Sequence, residues 1–436
     1  MNSYHIWTIG CQMNKADSER LATALEYLGL SHAATPADAD VVVLNSCVVR
    51  QSAEDKVVGT LGLMKSVKKK KPGQILALMG CMVGPSSTEL ARRFPHVDVF
   101  MRPQQYDPLI DLLGGRMDKD TDGCLSNLAP HLPAVSGFVP IIHGCDLMCT
   151  FCIIPFRRGR QVSRPAAEIL SEVDLMTRRG MREVTLLGQT VDAYGHDLQG
   201  EGDLADLLRR AGDIPGLLRV RFLTSHPLFM SDRIINAVAE VESVCEHINL
   251  PVQAADDSVL SEMRRRYTQD EYRRLVGRIR SAIPGVSIST DVIVGFPGET
   301  PARFQRTVDL LQELQFDKVH LAAYSPRPGT SAQRRLPDDV SLDEKRRRLR
   351  LLEQLQQEIQ EKNNRRLLSQ TVQVLVDGEK NGKWQGRTRT DRLVFFEDDR
   401  DLLGQLVDVR VNTASAWALQ GAAVGRPAAP LVDSIM

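Results

Sequence analysis

Cys145, Cys149 and Cys152 lie within eight residues, in the run His143-Gly144-Cys145-Asp146-Leu147-Met148-Cys149-Thr150-Phe151-Cys152. This C-x3-C-x2-C spacing lets one tight loop aim three thiolates at a single point. Iron–sulfur clusters usually take four cysteines, so three thiolates on a 4Fe–4S cube leave one iron for an exchangeable ligand. The same residues allow an alternative, a zinc site with His143 as fourth ligand, although structural zinc favours C-x2-C pairs with a distant second pair.

Three further cysteines follow apolar runs that read as strands. Cys11 follows a strand expected over 4–9, Cys47 one over 40–44, and Cys81 one over 75–79. Helical patterns over 16–28, 53–65 and 87–93 alternate with them, which predicts βα units and a parallel sheet. Ligands in open α/β sheets bind outside the carboxyl ends of the strands. Neighbouring strands are about 4.8 Å apart, so three such loops can bring three thiolates together. The competing reading is three separate buried cysteines, a common fate for this residue. Cys124 and Cys245 fall outside both trios, the first as a spare thiol and the second as a packing residue.

A second alternation begins at Phe138, with strands expected over 138–142, 183–187, 218–223, 247–250, 287–294 and 318–323. Helices are expected over 167–179, 204–211, 231–241, 269–282 and 301–314. Six βα repeats predict a complete or open barrel of the TIM type, with its chemistry at the C-terminal strand ends. The cysteine loop follows the first of these strands. The later strand ends supply Gly188, Gln189, Ser225, Gln253, Asp291 and Tyr324, small or polar groups suited to a mouth that binds a polar ligand, or simply to turns and helix caps.

The stretch 102–136 reads as a connector, interrupted by Gly114-Gly115, Gly123 and Pro130. A long charged helix is expected over 342–366. The period then changes to two, predicting about five short strands in a small β-barrel. Lys380, Lys383, Arg387, Arg389 and Arg392 surround Trp384 there, a mixture that suits a nucleic-acid surface or an ordinary solvated face. Five lysines between Lys65 and Lys71 read as a solvated helix end.

The chain has 436 residues, 42% hydrophobic and 25% charged, with a formal net charge of zero. That suffices for two or three domains of roughly 100–200 residues each and leaves no global field drawing the protein to nucleic acid. Eight cysteines without an export signal point to metal or catalysis in a reducing cytoplasm. No apolar run has the length of a membrane span.

The whole chain resembles the methylthiotransferase family of radical SAM (S-adenosylmethionine) enzymes. The resemblance rests on Thr8 to Asn14 with Asp17-Ser18-Glu19, on Asn45-Ser46-Cys47-Val48-Val49-Arg50, and on Gly144 to Pro155 with Arg158-Gly159-Arg160 and Ser163-Arg164-Pro165. It implies an α/β protein: an N-terminal parallel αβ sandwich (1–115), a linker (116–136), a radical SAM partial (βα)6 TIM-type barrel (137–366) and a C-terminal TRAM β-barrel (367–430). It implies two 4Fe–4S clusters, on Cys11, Cys47 and Cys81 and on Cys145, Cys149 and Cys152. SAM would be contacted by Phe151, Gly188, Gln189, Ser225, Gln253, Asp291 and Tyr324, and RNA by Lys380, Lys383, Trp384, Arg387 and Arg389. In this family one SAM is cleaved to a 5′-deoxyadenosyl radical while another methylates a sulfur on the other cluster. The implied partners are the tRNA anticodon arm, a flavodoxin-like or ferredoxin-like electron donor and a sulfur source, for a cytoplasmic monomer with no membrane association.

Gln12-Met13-Asn14 and the run 160–165 look most like the branch that thiolates C2 of N6-isopentenyladenosine-37 in tRNA. Branches acting on a ribosomal-protein aspartate or on threonylcarbamoyl-adenosine-37 are the alternatives, and a zinc-containing RNA-binding protein is the reading from another class. Met82-Val83-Gly84 and Ala254-Ala255-Asp256 depart from the family pattern.

Overall fold

The computed structural model describes residues 1–48, 51–125, 134–200 and 202–425. Val49 and Arg50 of the second motif, part of the 116–136 linker and the end of the 367–430 segment lie outside the described residues. The chain divides into two compact units. The first holds the N-terminal region with 138–148 and 152–162; the second holds 134–137, 149–151 and everything from Ser163.

Five strands build the first unit: β1 (Ser3–Thr8), β2 (Ser31–His32), β3 (Val41–Ser46), β4 (Ile75–Gly80) and β5 (Val99–Met101). They form a parallel sheet in the order β2-β1-β3-β4-β5. β3 and β4 are buried along their whole length, as their unbroken aliphatic runs require of strands covered on both faces. Helix α1 (Gln12–Tyr27) puts Leu21 and Leu25 against Val41 and Val43 on one face; α2 (Gln51–Lys70) puts Val57 and Leu61 against Val42 and Leu44 on the other. The short helix α3 (Thr88–Arg93) follows β4. Thr8 pairs with Asn45, and Ser46 with Gly80, so the three cysteine-bearing loops leave adjacent strand ends.

The expected connector contains a helix instead, α4 (Asp107–Met117). Leu109, Ile110 and Leu113 bury themselves in the first core. Gly114 breaks nothing: a Cβ there would stand 2.5 Å from Thr121 Cγ2, so the small residue serves close packing. Cys124 belongs to this core too, its thiol donating to the Ala24 carbonyl at 3.2 Å. Of the lysine run, Lys68 pairs with Asp98 and Lys71 with Asp40.

The chain continues through β6 (Ser136–Pro140), β7 (Ile142–His143), α5 (Ile154–Arg158), β8 (Val162–Ser163) and α6 (Ala166–Arg178). The second unit then alternates β9 (Glu183–Leu187), α7 (Leu204–Gly212), β10 (Arg219–Leu223), α8 (Asp232–Glu240), β11 (His247–Asn249), α9 (Asp257–Glu262), α10 (Gln269–Ala282), β12 (Ser287–Val294), α11 (Pro301–Leu314), β13 (Lys318–Ala323) and α12 (Ser331–Arg335). The strands form two three-stranded sheets, β10-β9-β6 and β11-β12-β13, with β10–β9, β11–β12 and β12–β13 parallel, linked by a parallel bridge between Val220 and Val244. This is the open six-strand barrel that the alternation predicts. The expected strands over 183–187, 287–294 and 318–323, and the helices over 269–282 and 301–314, fall on the observed ones.

Helix α13 (Leu342–Arg365) leads to β14 (Thr371–Lys380), β15 (Lys383–Thr388), β16 (Leu393–Glu397), β17 (Leu406–Ala414) and β18 (Leu419–Ala423), which close into a barrel. Its core is Val374, Val376, Val394, Phe396, Val407, Val409 and Val411, inward residues of period two. Among the described residues no helix is long and apolar enough to cross a membrane.

Candidate iron–sulfur and SAM site

Two glycines shape the first cysteine pocket. Gly80 has φ +101°, and a Cβ there would stand 2.4 Å from the Ser46 carbonyl; at Gly10 a Cβ would stand 2.8 Å from Cys47 Cβ. Only a residue without a side chain lets the strand ends approach so closely. Polar residues then lock the loops. Asn14 Nδ2 donates to Asn45 Oδ1 (2.8 Å) and to the Ser46 carbonyl (2.9 Å). Asn45 Nδ2 donates to the Asn14 carbonyl (2.7 Å) and Ser18 Oγ (2.8 Å). The Cys81 N–H donates to the Ser46 carbonyl at 2.9 Å.

The structure brings Cys11, Cys47 and Cys81 together. Cys11 is reachable from solvent and the other two are buried. A hydrogen bond from Cys47 lowers the Cys11 thiol to about 6 against the effect of burial, helped by Asn14 and by the charge of Arg158. Burial raises the Cys81 thiol, and Arg158 works against that. Arg158 Nε donates to Cys81 Sγ at 3.2 Å while its Nη2 donates to Asp17 Oδ2 at 3.0 Å. Burial would lower the guanidinium's pKa, but Asp17 and the two thiols outweigh it and raise it. A fixed buried cation beside three clustered thiols suits thiolate ligands, so the residues fit an iron–sulfur cluster. Beside them, Gly84 admits Arg157, whose Nη1 would stand 2.6 Å from a Cβ there; this is what the departure at residues 82–84 does locally.

The C-x3-C-x2-C loop is anchored on each side. Gly144 has φ +68°, and a Cβ would stand 2.0 Å from the Arg160 carbonyl. The Cys145 N–H donates to the Gly159 carbonyl at 3.2 Å, and His143 Nδ1 is engaged by the Gln104 side chain. In the second unit the Thr150 N–H donates to the Met263 carbonyl (3.1 Å) and the Ala332 N–H to the Thr150 carbonyl (2.8 Å). Arg265 directs Nη1 at Cys149 Sγ at 3.7 Å, with Nε held by Tyr267 (3.0 Å) and Nη2 by the Pro251 carbonyl (2.9 Å). Each candidate cluster site therefore has a cysteine contacted by an arginine. Among the described residues no three Cys, His, Asp or Glu side chains are set to ligate one metal ion. Ligands to one zinc, each about 2.3 Å from it, must nearly touch, whereas a cube's thiolates bind separate irons.

The C-terminal strand ends of the open barrel carry the expected SAM contacts. Three of the chain's buried polar atoms without a protein partner lie there: Gln189 Oε1 after β9, Ser225 Oγ after β10 and the Tyr324 hydroxyl after β13. Gln253, at φ +68°, donates its N–H to the Asp291 carbonyl at 2.8 Å; Asp291 also accepts from Asn249 Nδ2 at 3.3 Å. Gly188 is buried and Phe151 half-buried. Buried polar groups rarely go unpaired, so this rim fits a polar ligand such as SAM. Asp256, in the second departure, does different work: it caps α9, accepting from the Ser258 and Val259 N–H groups, and pairs with Arg306.

Sequence reasoning missed three groups, Arg158, Arg265 and Asp192, and read His226 only as one of the polar residues at a strand end. Arg158 and Arg265 have no motif signal as cysteine partners. Asp192 and His226 are buried behind the rim, with the His226 N–H donating to Asp192 Oδ2 at 2.8 Å. Burial raises the Asp192 carboxyl to about 8 and, with Arg265 and Arg266, lowers the His226 imidazole to about 2. Their Oδ1 and Nε2 atoms also lack protein partners.

The expected nucleic-acid residues do not form one open face. Arg389 clasps Glu246 at 2.7 and 2.8 Å and donates to the Val244 carbonyl at 2.7 Å. Arg387 turns back to Asp391 at 3.1 Å. Trp384 packs on the barrel core and donates Nε1 to the Asp398 carbonyl at 3.1 Å. Lys383 pairs with Glu397 at 3.0 Å, and Lys380 is exposed. The arrangement has a structural cause: the small barrel docks through this strand. Arg219 Nη1 donates to the Arg387 carbonyl (2.6 Å), and Arg221 to the Arg389 and Thr388 carbonyls (2.7 Å each). Arg392 pairs with Asp317 at 2.6 Å. Arg219, Glu246 and Asp317 lie at or just before the N-terminal ends of β10, β11 and β13, so docking uses the rim opposite to Gln189, Ser225 and Tyr324.

These features define a radical SAM protein with an N-terminal cysteine pocket and a TRAM barrel. Residues 139–311 match the Radical SAM superfamily, 3–102 the Uncharacterized protein family UPF0004 and 365–424 the TRAM domain. The radical SAM methyltransferase TsrM from Kitasatospora setae shares the fold, with a TM-score of 0.56 at 15% identity over 76% of this chain and 77% of that one. A tRNA-2-methylthio-N(6)-dimethylallyladenosine synthase from Roseiflexus sp. is 50% identical over 96% of this chain and 89% of its own length. One from Dehalococcoides mccartyi is 46% identical over 96% and 98%. The chain belongs to the family of these synthases.

Proposed function

We propose that this chain is a tRNA methylthiotransferase that places a methylthio group on C2 of N6-isopentenyladenosine-37, beside the anticodon. The observation that carries the reading is the pocket of Cys11, Cys47 and Cys81 around Arg158, in a chain that also holds the radical SAM cysteine loop and closely matches relatives named for this activity. The target is an aromatic C–H that no side chain can deprotonate at neutral pH; two 4Fe–4S clusters and SAM, when bound, supply the one-electron chemistry it requires.

The chain's own residues hold and orient. Cys145, Cys149 and Cys152 would ligate one cluster, with Arg265 fixing Cys149. Cys11, Cys47 and Cys81 would ligate the other, with Arg158 offsetting thiolate charge. Gly188, Gln189, Ser225, Gln253, Asp291 and Tyr324 would bind SAM, with Phe151 beside the loop. The target base would leave its stack to reach the reacting centre. The working division is an N-terminal cluster domain over 1–115, a linker over 116–136, a radical SAM domain over 137–366 and a TRAM domain over 367–430. We place the protein in the cytoplasm as a monomer, served by a flavodoxin-like or ferredoxin-like electron donor and a separate sulfur source.

Nucleoside mass spectrometry of tRNA from a deletion strain tests the reading. The expected result is accumulation of N6-isopentenyladenosine lacking the methylthio group. Unchanged tRNA, with a ribosomal protein losing methylthiolation, overturns it. Metal analysis of anaerobically purified protein should give about eight irons per chain.

A further inference from the structure

Trp417 stands out among the exposed apolar side chains. It is 71% exposed, on the turn between β17 and β18. The turn is stiff. Ser415 Oγ accepts from the Trp417 N–H (3.3 Å) and the Ala418 N–H (3.1 Å), and the Ser415 N–H donates to the Ala418 carbonyl (3.0 Å). The buried Asn364 side chain donates to the Ser415 carbonyl at 2.8 Å and the Ala416 carbonyl at 3.3 Å. That ties the turn to the last turn of α13, where Lys362, Arg365 and Arg366 are exposed. Arg365 pairs with Glu361, but so exposed a pair is weak.

A large aromatic held out in water by a rigid turn loses apolar burial for no gain within the chain. Cations at a helix C-terminus complement its dipole, which explains them but not the tryptophan on the turn that Asn364 ties to that helix end. An aromatic face next to flexible cations is the arrangement that binds unpaired nucleotides, the ring stacking on a base and the cations meeting phosphates. Arg389 and Arg392 point into the docking contact and Arg387 pairs with Asp391 of its own turn, so these three guanidiniums are engaged within the chain.

We infer that Trp417, with Lys362, Arg365 and Arg366, is the RNA-contacting surface of the C-terminal barrel, stacking on an unpaired base of the tRNA substrate. This rests on the tRNA reading above and names where the second grip on that RNA lies. The surface sits on the barrel that docks at the N-terminal rim. Strands of three to eight residues at about 3.3 Å each separate the two rims, so the base met by Trp417 is distinct from the base that reacts.

The test measures binding of an unmodified tRNA transcript to the full-length holoprotein by fluorescence anisotropy. Trp417→Ala should weaken binding about 5-fold to 150-fold, the worth of one stacked base, and Trp417→Phe should restore most of it. Arg365→Ala with Arg366→Ala should make the salt dependence shallower. Without any variant, UV cross-linking of wild-type protein to the transcript should give an adduct on the peptide containing Trp417. Equal binding by wild type and Trp417→Ala, or adducts only elsewhere, overturns the inference, as does a Trp417→Ala protein that loses a protein partner but keeps tRNA. Failure of the wild type itself to bind tRNA overturns the substrate reading instead.

Discussion

Arg158 and Asp17, 141 residues apart in sequence, meet at 3.0 Å with side chains 3% and 0% exposed. The same guanidinium donates to Cys81, so a buried ion pair and a candidate cluster ligand share one side chain. Breaking a buried pair from one side leaves an uncompensated charge, at a cost of about 3–5 kcal/mol. Arg158→Met should therefore lower the unfolding free energy of the reduced apoprotein, read from its denaturant curve, by that amount, and Arg158→Met with Asp17→Leu should recover most of it. If the double variant is no more stable than the single one, the pair is not the source of the loss.

Asp192 gives the protein a definite pH signature. Burial raises its folded pKa to about 8, above the ordinary carboxylate value of about 3.9. Between these values the folded chain keeps a proton that the unfolded chain has released. Stability is therefore lost as pH rises across that window and changes no further above it. Asp192→Asn keeps an acceptor for the His226 N–H and removes the titration. The variant's stability advantage should widen from about pH 5 to pH 8 and then level off, read from melting of the apoprotein across that range. A constant difference would mean that Asp192 stays ionised in the fold.

The docking of the small barrel makes a different kind of prediction. Arg221 Nε lies 2.9 Å from Glu183 Oε2, with side chains 5% and 7% exposed, while its other nitrogens reach the Thr388 and Arg389 carbonyls. Removing everything after Arg366 strips Arg219 and Arg221 of these acceptors. The truncated protein should lose tRNA affinity and also melt lower, whereas Trp417→Ala should lose affinity alone. A truncated protein that melts like the full chain would show that the barrel is a tethered module with no energetic coupling to the strands it touches.

Much of this architecture was readable beforehand, for physical reasons visible in particular residues. Val41 to Leu44 and Ser287 to Val294 are runs that only a buried strand accommodates, and the period of two after Leu368 marks the small barrel. Helix Asp107–Met117 was hidden because Gly114-Gly115 looks like a breaker when its packing against Thr121 is unknown. The cysteine trio was legible because all three residues follow strands. Arg158 was not, since its contacts reach across the fold to Asp17 and Cys81. The engagement of Arg389 was not legible, because charge in sequence does not say whether a guanidinium faces water or a carboxylate and carbonyl of the neighbouring sheet. Trp417 carried no signal, because a lone tryptophan between alanines reads as core.

The closest tolerances in the cysteine pocket belong to its glycines. An alanine at residue 80 would have to hold φ near +101° with its Cβ 2.4 Å from the Ser46 carbonyl, and a strained backbone alone costs about 1–3 kcal/mol. The β4 end must then shift, carrying Cys81 away from Cys11 and Cys47. Gly80→Ala should accordingly lower iron from about eight to about four per chain while SAM cleavage, which depends on the other loop, persists in the reconstituted protein. Gly59→Ala is the control, since nothing lies within 4 Å of a Cβ there. Full iron content in Gly80→Ala would mean that the strand ends can separate without disturbing the ligands, and that the tight approach is incidental to the cluster.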